Sequence, residues 1–442
     1  MKKNITLFLV LVLFSAGAAL GQWSFVKAFP NANFKLPAGV NNGIAVDPDG
    51  NVWIQSYSAA ADSIQRIGGT TKRACGVIRV FRPNGTELSF SPIKVVNGPG
   101  FSDTLGIGYG MRTDPNGNIL SVKPSNILHR INYKTGAGMN RAVNPIPGYT
   151  SSIASVAANA AGEIFLAPVL PGGTIILDAN FAALGTYADA ITDFGRDILV
   201  SPDGNDVYVP RFGIKKLYIY HSDFGSLGPY AKKDSIVTGF VVETMQFNPR
   251  TGHLWVGSGN CTSGFPPPPY LPYRWYAYNM TTKQIVDSIV WHGYELFSTC
   301  PTGPDTTSRP RGIAFSPGGD TAYVAQFNNS IDPAVQMFVS GAGPVSVQRE
   351  EGLIPSGFTL SQNYPNPFNP STQIKFTLPE AGMTSLKVYD MLGREVATLV
   401  EESLAAGGYT ATFDASKLSS GVYAYVLTSR GYRLSNKMVL VK

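Results

Sequence analysis

Two arginines and a glutamate stand at equivalent points of a repeated pattern, and they are the residues of this chain best suited to hold a ligand. Each copy is an apolar alternation, a turn that ends in glycine, and a second alternation. The residues just before the copies are Asn42, Tyr109, Ala154, Arg196, Thr244 and Arg311, with Glu243 beside Thr244. Because arginine offers a rigid fork of donors to anions, this set predicts a site for an anionic or sugar ligand. A second interpretation is that these side chains line a wet channel and pair with one another.

The repeat predicts the elements that position these residues. Its clearest copy, residues 43–54, places the turn Asp-Pro-Asp-Gly-Asn between β-branched and aromatic residues, which is typical of a β-hairpin. The turn glycines are Gly50, Gly117, Gly162, Gly204, Gly252 and Gly319, and the two longest spacings between them are attributed to loop insertions. Further strands follow each hairpin. The chain is therefore predicted to be all-β, with a six-bladed β-propeller over residues 22–341.

The sixth copy is one strand short of the others. Residues 23–29, Trp-Ser-Phe-Val-Lys-Ala-Phe, alternate like a strand and have no other partner in the sequence. We predict that this N-terminal strand is the outermost strand of the last blade, where it closes the ring and covers an exposed edge.

Composition agrees with a turn-rich extracellular protein. The chain has 442 residues, with 47 glycines, 32 prolines and only 14% charged residues, and its length suggests two or three domains. The net charge of +6 is modest and no run of Lys or Arg is present, so no nucleic-acid partner is predicted.

The N-terminus has the three parts of a secretory signal peptide over residues 1–21. Two lysines precede an apolar run, which ends in Ala19-Leu20-Gly21. The alternative is a single membrane anchor, but the run is short for a span. After cleavage, the mature chain would begin at Gln22 and would not span a membrane.

The chain has three cysteines that could form a disulfide in an oxidising environment outside the cell. Cys261 and Cys300 both lie in loop insertions, and a disulfide between them is the preferred pairing. Cys75 is a rival partner for either, and three unpaired thiols are the remaining alternative. No cysteine has metal-ligand spacing, and no metal or cofactor is predicted.

The loop insertions all fall on one face of the predicted propeller. Residues 58–76, 97–108, 259–273 and 291–309 lie there, so we expect this insertion face to be the working surface. Trp291 and Tyr294 join Tyr109, Arg196 and Arg311 as candidate ligand contacts.

The repeats resemble known bacterial propellers. Residues 312–325 are similar to YVTN-type repeats and residues 43–53 to NHL-type repeats, and the resemblance covers residues 23–340. It implies the fold rather than the function, since such propellers include lactonases, lyases and binders of proteins or glycans. In related lactonases several acidic and Asn side chains hold calcium, and only Asn42 and Glu243 correspond here.

The last part of the chain is a separate unit. After a linker at 342–357, residues 358–442 alternate as short strands and predict a small Ig-like β-sandwich. The unit resembles the type A C-terminal sorting domain of the type IX secretion system of Bacteroidetes and their relatives. The matching residues include Asn363, Tyr364, Pro365, Asn366, Pro367, Phe368, Asn369, Pro370, Gly393, Arg394, Gly421 and Tyr423.

That resemblance implies that the tail is an address. The partners it implies are the outer-membrane translocon and sortase-like machinery, and the destination is the cell surface or the medium, reached through the periplasm. The resulting hypothesis is a secreted binding module for an extracellular glycan or protein. The alternative is an extracellular enzyme acting on a polysaccharide or lactone. It is disfavoured because the four histidines lie in different copies, without a nucleophile motif nearby, and no catalytic residue is assigned.

Overall fold

The computed structural model describes residues 23–34, 36, 43–65, 71–123, 126–145, 152–169, 172–191, 195–258, 273–293, 309–327, 334–340, 347–350, 355, 357–404, 406–415 and 418–442. Over these ranges the protein is all-β, as predicted, and the single helical element there is one 3₁₀ turn, Gly225–Leu227. The predicted signal peptide lies outside the described residues.

Six antiparallel sheets follow one another between residues 23 and 340. The strands in chain order are β1 (Trp23–Phe29), β2 (Ile44–Val46), β3 (Val52–Gln55), β4 (Asp62–Gln65), β5 (Lys72–Cys75), β6 (Ile78–Phe81), β7 (Val95–Gly98), β8 (Phe101–Thr104), β9 (Met111–Thr113), β10 (Ile119–Lys123), β11 (Ile127–Ile131), β12 (Gly138–Val143), β13 (Ile153–Ala158), β14 (Ile164–Pro168), β15 (Gly172–Leu177), β16 (Ala183–Ile191), β17 (Leu199–Val200), β18 (Asp206–Arg211), β19 (Lys216–His221), β20 (Ala231–Val237), β21 (Val242–Phe247), β22 (Leu254–Ser258), β23 (Arg274–Tyr278), β24 (Ile285–Val290), β25 (Arg309–Phe315), β26 (Thr321–Phe327) and β27 (Val335–Ser340).

Each sheet is a meander of neighbouring strands. The first contains β2, β3 and β6, and the next four contain β9 to β12, β13 to β16, β17 to β20 and β21 to β24. The sixth contains β25, β26, β27 and, at its edge, β1. Two small hairpins, β4 with β5 and β7 with β8, are insertions beside the first sheet. They explain the long first spacing between turn glycines.

The hairpin turns are built by their own side chains. Asp47 is fully buried, and its carboxylate accepts hydrogen bonds from the backbone amides of Asp49 and Asn51 and from the indole of Trp53. Gly50 has φ +82°, a conformation that other residues rarely adopt. The Asp and Gly of this turn therefore have structural roles.

Each sheet packs against the next along the chain, and the sixth packs against the first. Strand β2 contacts β9, β9 contacts β13, β13 contacts β17, β18 contacts β21, β21 contacts β25, and β25 contacts β2. A separate apolar cluster of described residues lies between each successive pair. Since one sheet cannot bury both faces alone, the neighbours on either side stabilise it.

The N-terminal strand β1 lies at the edge of the sixth sheet and pairs antiparallel with β27, from Trp23 opposite Ser340 to Phe29 opposite Val335. Trp23 packs edge-on against Trp255 at 5.6 Å between ring centroids, and Phe29 is fully buried. The first and last strands of this part of the chain therefore share one sheet.

The Trp23 indole donates a 3.0 Å hydrogen bond to Asp287 in the fifth sheet. Burial raises the pKa of Asp287 to about 7, although hydrogen bonds from the Ser288 amide and the Trp23 indole and the charge of Arg250 lower it. The pKa of an Asp in an unfolded chain is about 3.9. Because the folded pKa is the higher one, this group stabilises the fold most below about pH 4, and its contribution is lost as the pH rises toward 7.

Replacing Asp287 with asparagine is expected to raise the free energy of unfolding at pH 8 by about 1–3 kcal/mol, because the side chain no longer ionises in a partly buried site. Near pH 4 the variant and the wild type are expected to melt at similar temperatures. Thermal unfolding from pH 4 to pH 8 measures the difference, with Asp49→Asn in an exposed turn as the control. Parallel pH profiles for Asp287→Asn and the wild type would contradict the assignment.

The tail forms two further four-stranded sheets around one apolar core. Its strands are β28 (Val347–Glu350), β29 (Thr359–Leu360), β30 (Ser371–Leu378), β31 (Gly382–Tyr389), β32 (Glu395–Leu404), β33 (Gly407–Asp414), β34 (Gly421–Ser429) and β35 (Tyr432–Leu440). The sheet orders are β28-β33-β30-β29 and β32-β31-β34-β35. Strand β28 falls inside the segment 342–357 that the sequence predicts as a linker, and it pairs with β33 of the tail.

Candidate functional site

A cavity of about 130 Å³ lies where the first strands of several sheets begin. We call it the Arg/Tyr cavity. Its lining residues are Tyr57, Tyr109, Ala154, Val169, Gly195, Arg196, Arg311 and Phe327. They come from the first, second, third, fourth and sixth sheets or the turns beside them. Four of the residues selected from the sequence, Tyr109, Ala154, Arg196 and Arg311, are thus brought together.

Glu243 of the fifth sheet joins the two arginines behind the cavity wall. Its carboxylate lies 2.8 Å from a terminal nitrogen of Arg311 and 3.7 Å from Nε of Arg196. Glu243 and Arg311 are almost completely buried, whereas the Arg196 side chain is 24% exposed. Pairing among these residues, the second interpretation of the sequence, is therefore present. One carboxylate therefore faces two guanidinium groups.

Aromatic rings form another part of the wall. Tyr57 stacks on Tyr109 with centroids 5.6 Å apart and meets Phe327 edge-on at 4.7 Å. The guanidinium of Arg311 lies over the Phe327 ring at 4.4 Å, which is a cation–π contact. Burial and, to a smaller extent, Tyr57 raise the pKa of Tyr109 to about 12, although the charges of Arg196 and Arg311 lower it. Its hydroxyl therefore stays protonated at neutral pH.

A buried ion pair lies one to three residues further along the chain from the lining residues Tyr109 and Arg196. Arg112 donates to both carboxylate oxygens of Asp197, at 2.9 and 2.7 Å, and to the carbonyl of Met245. The hydroxyl of Ser155 and the amide of Met245 also donate to Asp197, which is fully buried. These hydrogen bonds join the second, third, fourth and fifth sheets, and Asp197 and Ser155 are chain neighbours of the lining residues Arg196 and Ala154.

Other residues selected from the sequence lie elsewhere. Asn42 and Tyr294 are outside the described residues. Thr244 is buried and donates to Asp197 at 3.3 Å, and it is not among the residues that line the cavity. Trp291, predicted as a ligand contact, is only 1% exposed and packs near Trp275 in an apolar cluster.

Sequence reasoning missed four cavity residues, Tyr57, Val169, Gly195 and Phe327, of which two are aromatic. Tyr57 follows β3 and Phe327 ends β26, and the two occupy the same position of the first and sixth copies, four residues after Trp53 and Tyr323. Aligning the copies beyond their hairpins would have revealed an aromatic residue at this repeated position.

Of the three cysteines, the structure describes Cys75. Cys261 and Cys300, the preferred disulfide, lie outside the described residues. Cys75 is buried and carries a free thiol. Burial raises the pKa of this thiol, which leaves it protonated at neutral pH.

The Asn/Pro run at 363–370 of the tail crosses the edges of both tail sheets. The Asn363 amide donates to Pro365 O and to the Thr372 hydroxyl, and its backbone N–H donates to the Tyr425 hydroxyl. Phe368 is buried and exchanges backbone hydrogen bonds with Val439 and Val441 beside the last strand. The run therefore bonds to both β30 and β35 and holds the two tail sheets together at this edge.

Other sorting-motif residues have different surroundings. Gly393 and Arg394 close the turn between β31 and β32, where Nε of Arg394 donates to Asp390 at 2.7 Å. Tyr423, two residues after Gly421 in β34, donates its hydroxyl to Ser419 O. Tyr364 is 82% exposed. The exposed members of the Asn/Pro run are Tyr364, Pro365, Asn366, Pro367, Asn369 and Pro370.

Comparison with known families identifies the type of domain that the tail forms. Residues 362–442 match the family described as "Secretion system C-terminal sorting domain". This part of the chain is therefore a type IX sorting domain, which directs export to the cell surface or the extracellular space and implies the type IX secretion machinery as a partner. No curated protein matches the chain. Along the described ranges, no helix has the length and apolar character needed to cross a membrane.

Proposed function

We propose that this is a secreted or cell-surface binding protein in which a six-bladed β-propeller, residues 22–341, is delivered by the sorting tail. The cyclic order of contacts among the six sheets supports the propeller, since only a ring lets the sixth sheet pack on the first. Each of the six sheets also contains one copy of the NHL/YVTN-like repeat, and the copies follow the order of the sheets along the chain. The proposal includes an Ig-like sandwich for the tail, a cleaved signal peptide at 1–21 and a tail boundary near residue 357.

The observation that carries the binding function is the Arg/Tyr cavity. A small concave site that combines aromatic walls with a few convergent charged groups is typical of ligand recognition. Residues from five different sheets or their turns form it, so rigid elements hold the site in place.

The alternative, an enzyme acting on a polysaccharide or lactone, needs carboxylates that face the substrate. Among the residues that the structure describes, those lining the cavity include no Asp or Glu. Glu243 and Asp197 lie close by, but each is buried against an arginine. This arrangement favours binding over acid–base catalysis.

Filling the cavity tests the proposed function. Ala154→Phe places a large ring among the lining residues and is expected to abolish binding of the ligand, while Ala160→Phe, in the exposed turn of the same hairpin, is expected to leave it unchanged. The measurement is a broad array of bacterial and host glycans and extracellular proteins, probed with the wild type and both variants. Thermal unfolding checks the fold, and Ala154→Leu is a milder replacement if the larger ring disrupts it.

The proposal predicts at least one array component that the wild type and Ala160→Phe bind and that Ala154→Phe does not. Absence of any bound component, or binding that is the same in all three proteins, would argue against a ligand site in this cavity.

A further inference from the structure

Three aromatic rings from the first, second and sixth sheets or their turns meet in the wall of the Arg/Tyr cavity. Tyr57 and Tyr109 are nearly parallel, with an angle of 19° between their rings, and Phe327 stands at 82° to Tyr57. Aromatic pairs prefer an offset stack or an edge-to-face contact, and this wall contains rings in two almost perpendicular orientations. A planar ring that enters the cavity can therefore make both kinds of contact.

The two arginines of the wall have partners that a neutral ring leaves in place. Arg311 and Arg196 lie 2.8 and 3.7 Å from the carboxylate of Glu243. Their guanidinium groups also lie over the rings of Phe327 and Phe212, at 4.4 and 4.8 Å. A guanidinium attracts an aromatic ring through a cation–π contact, and this attraction does not require an existing ion pair to break. The arginines therefore add to the attraction for an aromatic ring and do not require an anionic ligand.

The rest of the wall is apolar. Among the described residues, Ala154, Val169 and Gly195 complete the lining, and none of their side chains carries a polar atom. A pyranose sugar has hydroxyl groups around its ring, and a hydroxyl that leaves water without gaining a new hydrogen bond costs free energy. An aromatic ring has no such groups to pair. This part of the wall therefore favours an aromatic ring over a sugar.

The volume of the cavity suits one six-membered ring. It is about 130 Å³, and an apolar cavity of about 150 Å³ holds one benzene molecule. The side chains of Tyr57, Tyr109 and Arg196 are only partly buried, so the cavity can be reached from solvent. The space holds the ring alone, and the group that carries the ring must remain outside.

We infer that the Arg/Tyr cavity binds a single aromatic ring, from a protein side chain or a small aromatic molecule, against Tyr57, Tyr109 and Phe327. This inference rests on the binding function proposed above and adds the chemical class of the ligand. It differs from the anionic or sugar ligand that the sequence predicts, because the fold brings together aromatic rings that lie far apart in the sequence.

Titration of the chain of residues 22–442, followed by ligand-observed NMR, tests this class with three probes. Benzyl alcohol and cyclohexylmethanol share one carbon skeleton and one hydroxyl and differ in aromaticity, and methyl β-D-glucoside represents a sugar. Benzyl alcohol is expected to bind with a Kd of about 1 mM. It is expected to bind at least about fivefold more tightly than cyclohexylmethanol, which cannot make aromatic or cation–π contacts, and more tightly than the glucoside.

A fourth probe distinguishes the two sources of the ring. Acetyl-Gly-Phe-Gly-amide presents the same ring on a polypeptide. Tighter binding of this peptide than of benzyl alcohol supports a protein side chain as the source, and the reverse order supports a small aromatic molecule.

Two variants of Tyr57 and a matched control sharpen the test. Tyr57→Phe keeps the ring without its hydroxyl and is expected to retain the preference for benzyl alcohol over cyclohexylmethanol. Tyr57→Leu removes the ring and is expected to lose most of that preference. Tyr364→Leu, at a tyrosine of the tail that is 82% exposed, is expected to leave the preference unchanged. Thermal unfolding of each variant checks that the fold is kept.

The outcomes separate the ligand class from the binding function. Equal affinity for benzyl alcohol and cyclohexylmethanol, tighter binding of the glucoside, or failure of the wild type to bind benzyl alcohol overturns the aromatic assignment. A preference that survives in Tyr57→Leu, or that is lost in Tyr57→Phe, overturns it as well. If the glycan and protein array still yields a ligand that Ala154→Phe loses, the binding function stands without the aromatic class.

Discussion

Replacing Asp197 with alanine is expected to lower the free energy of unfolding of the N-terminal part of the chain by about 3–5 kcal/mol, because the change leaves Arg112 buried without its counter-ion. Asp197 also accepts hydrogen bonds from Ser155, Ile198 and Met245. Removing the carboxylate deprives donors from three sheets of an acceptor, and each buried donor left unpaired adds to the loss.

Chemical denaturation of the wild type and of Asp197→Ala measures this loss. Asp203→Ala, an exposed aspartate in the turn between β17 and β18, is the matched control and is expected to change stability by less than about 1 kcal/mol. A double-mutant cycle with Arg112→Met isolates the ion pair, and the double variant is expected to be more stable than the sum of the single losses implies. Additive losses, or a small loss for Asp197→Ala alone, would show that this ion pair contributes little to the stability of the fold.

The ion pair of Arg112 and Asp197 could not be predicted from the sequence. Arg112 and Asp197 each stand near the start of a strand, among residues that alternate in character, where a charged side chain is most simply interpreted as facing solvent. Their pairing joins residues 85 positions apart. Only the relative placement of the second and fourth sheets brings them together, and no local pattern encodes that placement.

Half of the residues that line the cavity could be predicted from the sequence. Tyr109, Ala154, Arg196 and Arg311 occupy one position of a repeat, and repeated positions in stacked units come to equivalent places in space. The surroundings of Trp291 could not be predicted, because an aromatic residue beside an insertion fits either a binding surface or a core. The deciding fact is its contact with Trp275, which comes from the folded chain alone.

The tail shows how an address signal can also be structural. Asn363, Phe368 and Thr372 satisfy hydrogen bonds or fill the core inside the sorting domain, whereas Tyr364 and Leu392 are largely exposed. Substitutions at the buried positions therefore disturb the fold before they disturb recognition. The alternating strands and the order of the matched motifs were sufficient to recognise the domain from the sequence, because both are local features.

Deleting residues 22–30 is expected to abolish cooperative unfolding of the N-terminal part of the chain. The deletion removes β1 from the edge of the sixth sheet and with it the buried ring of Phe29 and the partly buried ring of Trp23. Truncating a buried aromatic such as Phe29 costs about 3–5 kcal/mol, and a typical domain is stable by only about 5–15 kcal/mol. The unpaired edge of β27 would also be open to association with other chains.

A graded series makes this deletion interpretable. Phe29→Ala is expected to lower the free energy of unfolding by about 3–5 kcal/mol, and Phe224→Ala, whose ring is 69% exposed, by less than about 1 kcal/mol. A synthetic peptide of residues 22–31, added to the deleted protein, is expected to restore a cooperative thermal transition by pairing with β27. If the deleted protein melts like the wild type, the stability of this part of the chain does not depend on β1. If the peptide restores the transition, β1 stabilises the sixth sheet by pairing with β27 even when the two strands are not covalently joined.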